Sequence, residues 1–319
     1  MSLPRVLVAC AALAASLPAF AQDPAGLKAP VQPVPIGPRT YFVQGLPGVA
    51  SAENEGFNSN AAFVVTDDGV VVIDVLGTPA LGQALLASIR KVTPKPVKRV
   101  IVTHYHADHF YGLKAFKDAG AEVWAHRAAQ DYLDGGEGQR RLAQRAQDLF
   151  PWVEADMPLV RADRWLDRDE TFTLGGVRFD VSYMGPAHSA EDVIVSVPRE
   201  GVVFSGDILY GGRIPFVGEA DSKQWLATTE RLLALKPRLL VPGHGAVSRD
   251  PARDLTLTRE YIHYLREKMG KAVEDFTPFE EAYAKTDWSR FAKVPAFDAA
   301  NRVNAYGQYL VMERELLKR

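Results

Sequence analysis

The stretch Thr103-His104-Tyr105-His106-Ala107-Asp108-His109 puts three imidazoles and a carboxylate within six positions, directly after the apolar segment Val97-Lys98-Arg99-Val100-Ile101-Val102. That segment reads as a buried strand, so the cluster lies where a strand ends and a loop begins, the edge at which α/β sheets present chemistry. A lone His-x-His pair is common in loops and means little. Four ligand-type side chains in six positions form a metal-site pattern. Mixed nitrogen and oxygen donors suit zinc first, with iron, manganese and nickel as alternatives.

The same placement recurs along the chain. Val70-Val71-Val72-Ile73 ends in Asp74, and Val202-Val203-Phe204-Ser205-Gly206 ends in Asp207. His188 follows the strand closing at Met184, within Gly185-Pro186-Ala187-His188-Ser189, and His244 follows Val241 within Pro242-Gly243-His244-Gly245. Five of the seven histidines therefore sit in the opening run or just beyond an apolar strand, while His126 and His263 read as structural or exposed. Neighbouring glycines let backbone approach an ion closely. A carboxylate such as Asp207 has two oxygens with which to bridge two ions, and two ions sharing a hydroxide are a hydrolase's equipment. Structural zinc sites close with four ligands and usually recruit cysteine; Cys10 is the only one here.

Cys10 lies in an expected export signal. Arg5 precedes the apolar stretch Val6–Leu17, and Ala19-Phe20-Ala21 matches a small-x-small cleavage site. Residues 1–21 are read as a signal peptide too short for a stable span, 22–38 as a Pro-rich linker, 39–250 as the main domain and 251–319 as a helical extension. The mature protein is then periplasmic or secreted. A net charge of −2 in 319 residues gives no electrostatic case for nucleic acid or an anionic membrane. A small-molecule substrate is the expected partner.

Strands are expected at Thr40–Gln44, on both sides of the hairpin turn Asp67-Asp68-Gly69, up to Thr103, at Glu122–Ala125, Thr171–Leu174, Val177–Met184, Val193–Val197, Val202–Ser205 and Leu239–Pro242. Helical periodicity marks Pro79–Val92, the run to Ala119, Arg127–Pro151 broken at Asp134-Gly135-Gly136, and Ser222–Leu235. This alternation predicts a layered α/β domain. From Leu255 onward the pattern is helical, with breaks at Thr277-Pro278 and Val294-Pro295; Tyr306, Tyr309 and Met312 read as core. Phe57, Phe110, Tyr111, Trp152, Tyr210 and Phe216 lie in loops near the ligands and are candidates for a cleft wall.

The H-x-H-x-D-H run, Gly-Pro-Ala-His188, Ser-Gly-Asp207 and Gly-His244-Gly, in this order, resemble the metallo-β-lactamase superfamily over about Ile36 to Asp250. The resemblance implies a four-layered αβ/βα metallo-β-lactamase sandwich with the site at one edge of two sheets. It implies His104, His106 and His188 on one zinc, Asp108, His109 and His244 on a second, and Asp207 bridging. It also implies that Asp108 orients a bridging hydroxide that attacks a carbonyl-type centre, and that Asp74 supports the metal loop from outside.

Three departures bear on the substrate. The thiolate-bearing β-lactamases of this family carry Cys where Asp207 stands, Lys where Tyr210 stands, and Asn where Phe216 stands. Tyr210 and Arg213 are candidates to replace the missing anchor. Asp at the bridging position looks more like the glyoxalase II and general hydrolase branches, and the layout resembles exported zinc metallohydrolases that accompany quinoprotein dehydrogenases. The expected activity is exported, dinuclear-zinc hydrolysis of an ester, thioester, lactone or β-lactam. The alternative from a different class is a mononuclear iron persulfide dioxygenase; His106 speaks against the flavin-linked di-iron subset, and the intact second ligand set against a merely structural metal module.

Overall fold

Val- and Ile-rich segments separated by Gly and Pro assemble into two sheets in the computed structural model, which describes residues 27–318. The first sheet holds β1 (Val34–Pro35), β2 (Thr40–Val43), β3 (Ala61–Val65), β4 (Val70–Ile73), β5 (Val97–Ile101), β6 (Glu122–His126) and β7 (Arg164–Leu166), side by side in chain order. Pairing is antiparallel from β1 to β4 and parallel from β4 to β7. Parallel neighbours need crossovers. These are α1 (Pro79–Val92), then α2 (Ala107–Phe110) with α3 (Leu113–Asp118), then α4 (Ala129–Asp134) with α5 (Glu137–Asp148). Thr78 caps α1 by accepting the Leu81 N–H at 3.2 Å, and Pro79 fills its first position.

The second sheet holds β8 (Glu170–Leu174), β9 (Val177–Tyr183), β10 (Val193–Val197), β11 (Val202–Tyr210) and β12 (Leu239–His244), in the order β12-β11-β10-β9-β8. β8 to β11 form an antiparallel meander, and β12 joins β11 in parallel through α6 (Ser222–Ala234). α7 (Pro251–Glu274), α8 (Phe279–Lys285) and α9 (Phe297–Leu316) complete the chain.

Side-chain alternation along the strands sets the layers. In β4, Val71 and Ile73 face the opposite sheet and pack with Phe179, Val195, Phe204 and Val241. Val70 and Val72, one residue out of phase, pack with Leu85 and Ile89 of α1. Beyond the second sheet, Val203 and Ile208 pack with Trp225 and Leu232 of α6 and with Tyr261 and Leu265 of α7. The result is helix, sheet, sheet, helix, the four-layered αβ/βα architecture expected. The C-terminal helices belong to its outer layer rather than standing apart.

Several details differ from the sequence reading. The leader at 1–21 lies outside the described residues, as does the start of the stretch read as linker. The rest of that stretch is not free: Val34 and Pro35 pair with Phe42 and Tyr41, and Val31 is buried. β7 escaped notice because Arg164-Trp165-Leu166 is short and begins with a charge. β11 and β12 extend through Asp207 and His244, so these residues lie within strands, not in loops after them; register shifts on either side of Gly206 carry β11 onward. Met312 is buried, but Tyr306 is half exposed. Among the described residues no helix is long and apolar enough to cross a membrane.

Phe204 is 1% exposed in the layer between the sheets. Phe204→Ala is expected to cost about 3–5 kcal/mol, read as a lowered urea midpoint with an unchanged slope.

Candidate metal centre

Parallel pairing of β4 with β5, in the register Ile73 opposite Ile101, brings the two strand ends together. Asp74 turns there with a left-handed φ of +56°. Its Oδ1 accepts the Thr103 N–H at 2.8 Å, and its Oδ2 accepts the Thr103 hydroxyl at 2.8 Å and Nδ1 of His109 at 2.9 Å. In the neutral ring this contact keeps the His109 proton on Nδ1 and turns the Nε2 lone pair toward the cluster. Because the Thr103 hydroxyl donates to Asp74, Nδ1 of His104, 3.1 Å from it, must be the donor in that pair. His104 also points a bare Nε2 inward. Asp74 was expected to support the loop, and this is how it does so.

His188 enters from the β9–β10 connection, Asp207 from β11 and His244 from the end of β12. Asp207 Oδ2 lies 3.4 Å from His188 Nε2, 3.3 Å from His244 Nε2 and 3.8 Å from His104 Nε2, while Oδ1 lies 3.3 Å from His109 Nε2. A Cβ on Gly243 would sit 1.9 Å from Asp207 Oδ1, so no other residue fits there. All seven expected ligand residues come together, in three overlapping sets: His104, His106 and His188; His104, His109 and Asp207; Asp108, His109 and His244. Within each set the donor atoms lie within 4.8 Å of one another.

The donor chemistry fits a divalent metal. His104 Nε2, His109 Nε2, His188 Nδ1 and Asp207 Oδ1 are buried with no hydrogen-bond partner, and buried polar atoms without partners are rare unless something else satisfies them. Burial, reinforced by the charge of neighbouring imidazoles, holds His104 well below the usual histidine range and His106 at about 3. Burial also lowers His188 against the pull of Asp207. These rings are neutral and ready to ligate. Burial disfavours charge on His109 too, but Asp207, Asp108 and Asp74 outweigh it and raise His109 well above its ordinary value. Burial opposes ionisation of the acids, yet His244 and His109 hold Asp207 well below the carboxylate range, and His109 and His244 hold Asp108 at about 2.

Two aromatic and basic candidates take other places. Tyr210 is buried; its hydroxyl donates to Asp207 Oδ2 and its ring stacks on His244 at 5.0 Å. It therefore steadies Asp207 and His244, which leaves it no free donor for a substrate. Arg213 is buried and donates Nη1 to the Gly48 carbonyl at 2.7 Å, with its guanidinium 5.7 Å from the Phe216 ring. Of the loop aromatics, Tyr210 and Phe216 line the cleft beside the centre. Phe57, Phe110 and Tyr111 are core, and Trp152 donates to the Ala52 carbonyl.

The short polar run Asn58-Ser59-Asn60 lies directly before β3. It is a clasp. Asn58 Nδ2 donates to Asp108 Oδ2 at 3.3 Å, its carbonyl accepts from His244 Nδ1 at 2.7 Å, and the Ser59 hydroxyl donates to the Asp108 carbonyl. Asn60 Nδ2 donates to the Pro242 and Gly245 carbonyls, both at 2.8 Å. The only sequence signal was a cluster of short amides and a hydroxyl before a strand.

Asp74→Asn keeps the shape but removes the charge that orients His109. The variant is expected to fold normally by circular dichroism and to lose about 10–100-fold in zinc affinity, measured by competition with a chromophoric chelator.

The family model for the metallo-beta-lactamase superfamily matches residues 54–244. The chain is 28% identical over 220 residues to the metallo-beta-lactamase type 2 of Elizabethkingia meningoseptica, covering 67% of this chain and 78% of that protein. It is 23% identical over 241 residues to a linear primary-alkylsulfatase of Pseudomonas sp., covering 65% of this chain but 46% of that longer protein. The structure of a stereoselective inverting sec-alkylsulfatase from Pseudomonas sp. superposes with a TM-score of 0.66 at 19% identity, covering 88% of this chain and 50% of that one. This chain belongs to the metallo-β-lactamase superfamily and is a metal-dependent hydrolase of that fold.

Proposed function

We propose that the chain is an exported, dinuclear zinc hydrolase that cleaves a carbonyl-type bond, an ester, thioester, lactone or β-lactam, in a small-molecule substrate. The observation that carries this reading is a pair of three-residue donor sets joined by a third, His104, His109 and Asp207, which shares one histidine with each, at the floor of an open cleft of about 870 Å³. A purely structural ion would need one closed set and no cleft. His104, His106 and His188 would hold one zinc, Asp108, His109 and His244 the other, with Asp207 between them. When bound, such a pair supplies an acidified water and Lewis-acid polarisation of the scissile oxygen.

The chain's own residues do the rest. Asp108 is the more open of the two acids, with a side chain 16% exposed against 3% for Asp207. It lines the cleft and is steadied by Asn58. It is the residue suited to orient the attacking water and receive its proton. Burial disfavours charge on His104, His106 and His188, which favours the neutral form that a metal needs. In this reading residues 1–21 are a cleaved leader, 22–38 a connector, 39–250 the catalytic unit and 251–319 a helical extension, and the mature protein works in the periplasm or outside the cell.

Chelation followed by desalting is expected to abolish hydrolysis, and zinc to restore it at two equivalents per chain, across a panel of lactams, thioesters, lactones and phosphoesters. Alkyl sulfates join the panel because a relative bears that activity in its name. One iron per chain with oxygen uptake on a persulfide would overturn the proposal. Asp207→Ala is expected to lower kcat/KM by more than about a hundredfold, the upper end of what loss of an outer support costs.

Asp207, Asp108 and Asp74 raise His109 above its ordinary value against the effect of burial, so a proton competes with a metal for its Nε2 lone pair. Loading is therefore expected to release protons, seen as a dependence of the calorimetric binding enthalpy on the buffer's ionisation enthalpy. Its affinity for metal falls as pH is lowered.

A further inference from the structure

The cleft has two arms of opposite character. One runs beneath α5, where Glu137, Arg141, Arg145 and Asp148 recur at helical spacing along the wall. The other runs between the β11–α6 connection and α9, where Phe216, Val217, Ala220, Ala299 and Val303 make an apolar stretch of wall, with Glu219 and Asp221 of the same connection also lining the cleft. Val303 is 60% exposed, a large apolar residue open to solvent at the mouth of the cleft.

The apolar arm is built to hold its shape. Asn304 is fully buried, and its amide makes four hydrogen bonds, which is its whole capacity. Its Oδ1 accepts from the Val217 N–H at 2.8 Å and the Gly218 N–H at 3.0 Å. Its Nδ2 donates to the Pro215 carbonyl at 2.7 Å and the Tyr261 hydroxyl at 3.1 Å. One turn on, Gln308 Nε2 donates to the Gly218 and Ala220 carbonyls at 2.9 and 3.2 Å. Gly307 brings α9 so close that a Cβ there would lie 2.3 Å from the Gly218 carbonyl. Loop 215–220 thus takes its conformation from α9.

We propose that α9 forms a wall of the substrate cleft, that Asn304 is the positioning residue that sets it, and that this arm receives an uncharged alkyl or aryl substituent of the substrate. The inference rests on the metal-centre reading above, which supplies the anchored end of the molecule. The apolar arm is continuous with that centre, and burying a hydrocarbon against Phe216 and Val303 removes both from water. The α5 arm carries two acids and two guanidiniums along its helix and stays hydrated.

Straight-chain alkanehydroxamates, from aceto- to octanohydroxamate, serve as probes whose head group binds zinc and whose tail reports on the arm. Titrated calorimetrically into the zinc-loaded full chain, they are expected to show Kd falling by about fourfold per methylene until the arm is filled. Val303→Asp, at an exposed position, and Asn304→Ala are both expected to flatten this dependence, and Val303→Ile to retain it. Equal affinity for short and long chains, or an undiminished dependence in both disruptive variants, overturns the proposal. If the dependence appears but no acyl substrate is cleaved, the apolar arm stands and the hydrolytic reading fails; if no hydroxamate binds, both fall.

Discussion

One buried carboxylate organises the first half of the centre. Asp74 accepts three hydrogen bonds from two residues, and two imidazoles depend on them. His109 is oriented directly. His104 is oriented at one remove, since the Thr103 hydroxyl can receive from His104 only because it donates to Asp74. The Thr103 carbonyl in turn accepts the Val193 N–H at 3.0 Å, which ties this loop to the second sheet. A non-glycine residue held at positive φ costs on the order of 1–3 kcal/mol, and this network is what offsets that cost at Asp74.

The second constraint is electrostatic. Five imidazoles and two carboxylates share a space from which water is largely excluded, and burial acts on all of them against charge. The acids remain ionised because His109 and His244 face them. Three rings remain neutral because nothing compensates a charge on them as fully. The arrangement leaves donor atoms without partners, a cost that a bound divalent ion removes. Metal binding and stability are therefore linked in this protein, since an ion that binds only the folded chain stabilises it by mass action.

Most of the strands and the seven histidines and aspartates that cluster were legible in the sequence because each is written locally. An apolar run has its own period, and a histidine or aspartate at its end is adjacent in the chain to what positions it. What escaped the reading acts across distance. Asn58 reaches Asp108 and His244, 50 and 186 positions away, and nothing in a short polar turn says so. Tyr210 sits at the place of an expected substrate anchor, yet lies three residues from Asp207 on a strand whose irregularity lets the two side chains meet. The continuation of β11 past Gly206 has the same origin: alternation suggested an ending where register shifts let pairing proceed.

The same contrast separates the chemistry from its specificity. The seven clustered residues sit in the connections after β5 and β9, within β11, at the end of β12 and on the short helix α2, fixed by sheet register and by Asp74, and a second protein of this family can keep them unchanged. The cleft walls come from elsewhere: α4 and α5, inserted between β6 and β7, and loop 215–220 as shaped by α9. Changes in those walls leave the sheets and Asp74 untouched, so the substrate can vary while the metal chemistry is retained, as expected where function is grafted onto a fold. Because Asn304 meets loop 215–220 through three hydrogen bonds and not through interchangeable apolar contact, α9 cannot shift without breaking them. The helical extension thus shapes the cleft, although none of the seven clustered residues lies in it.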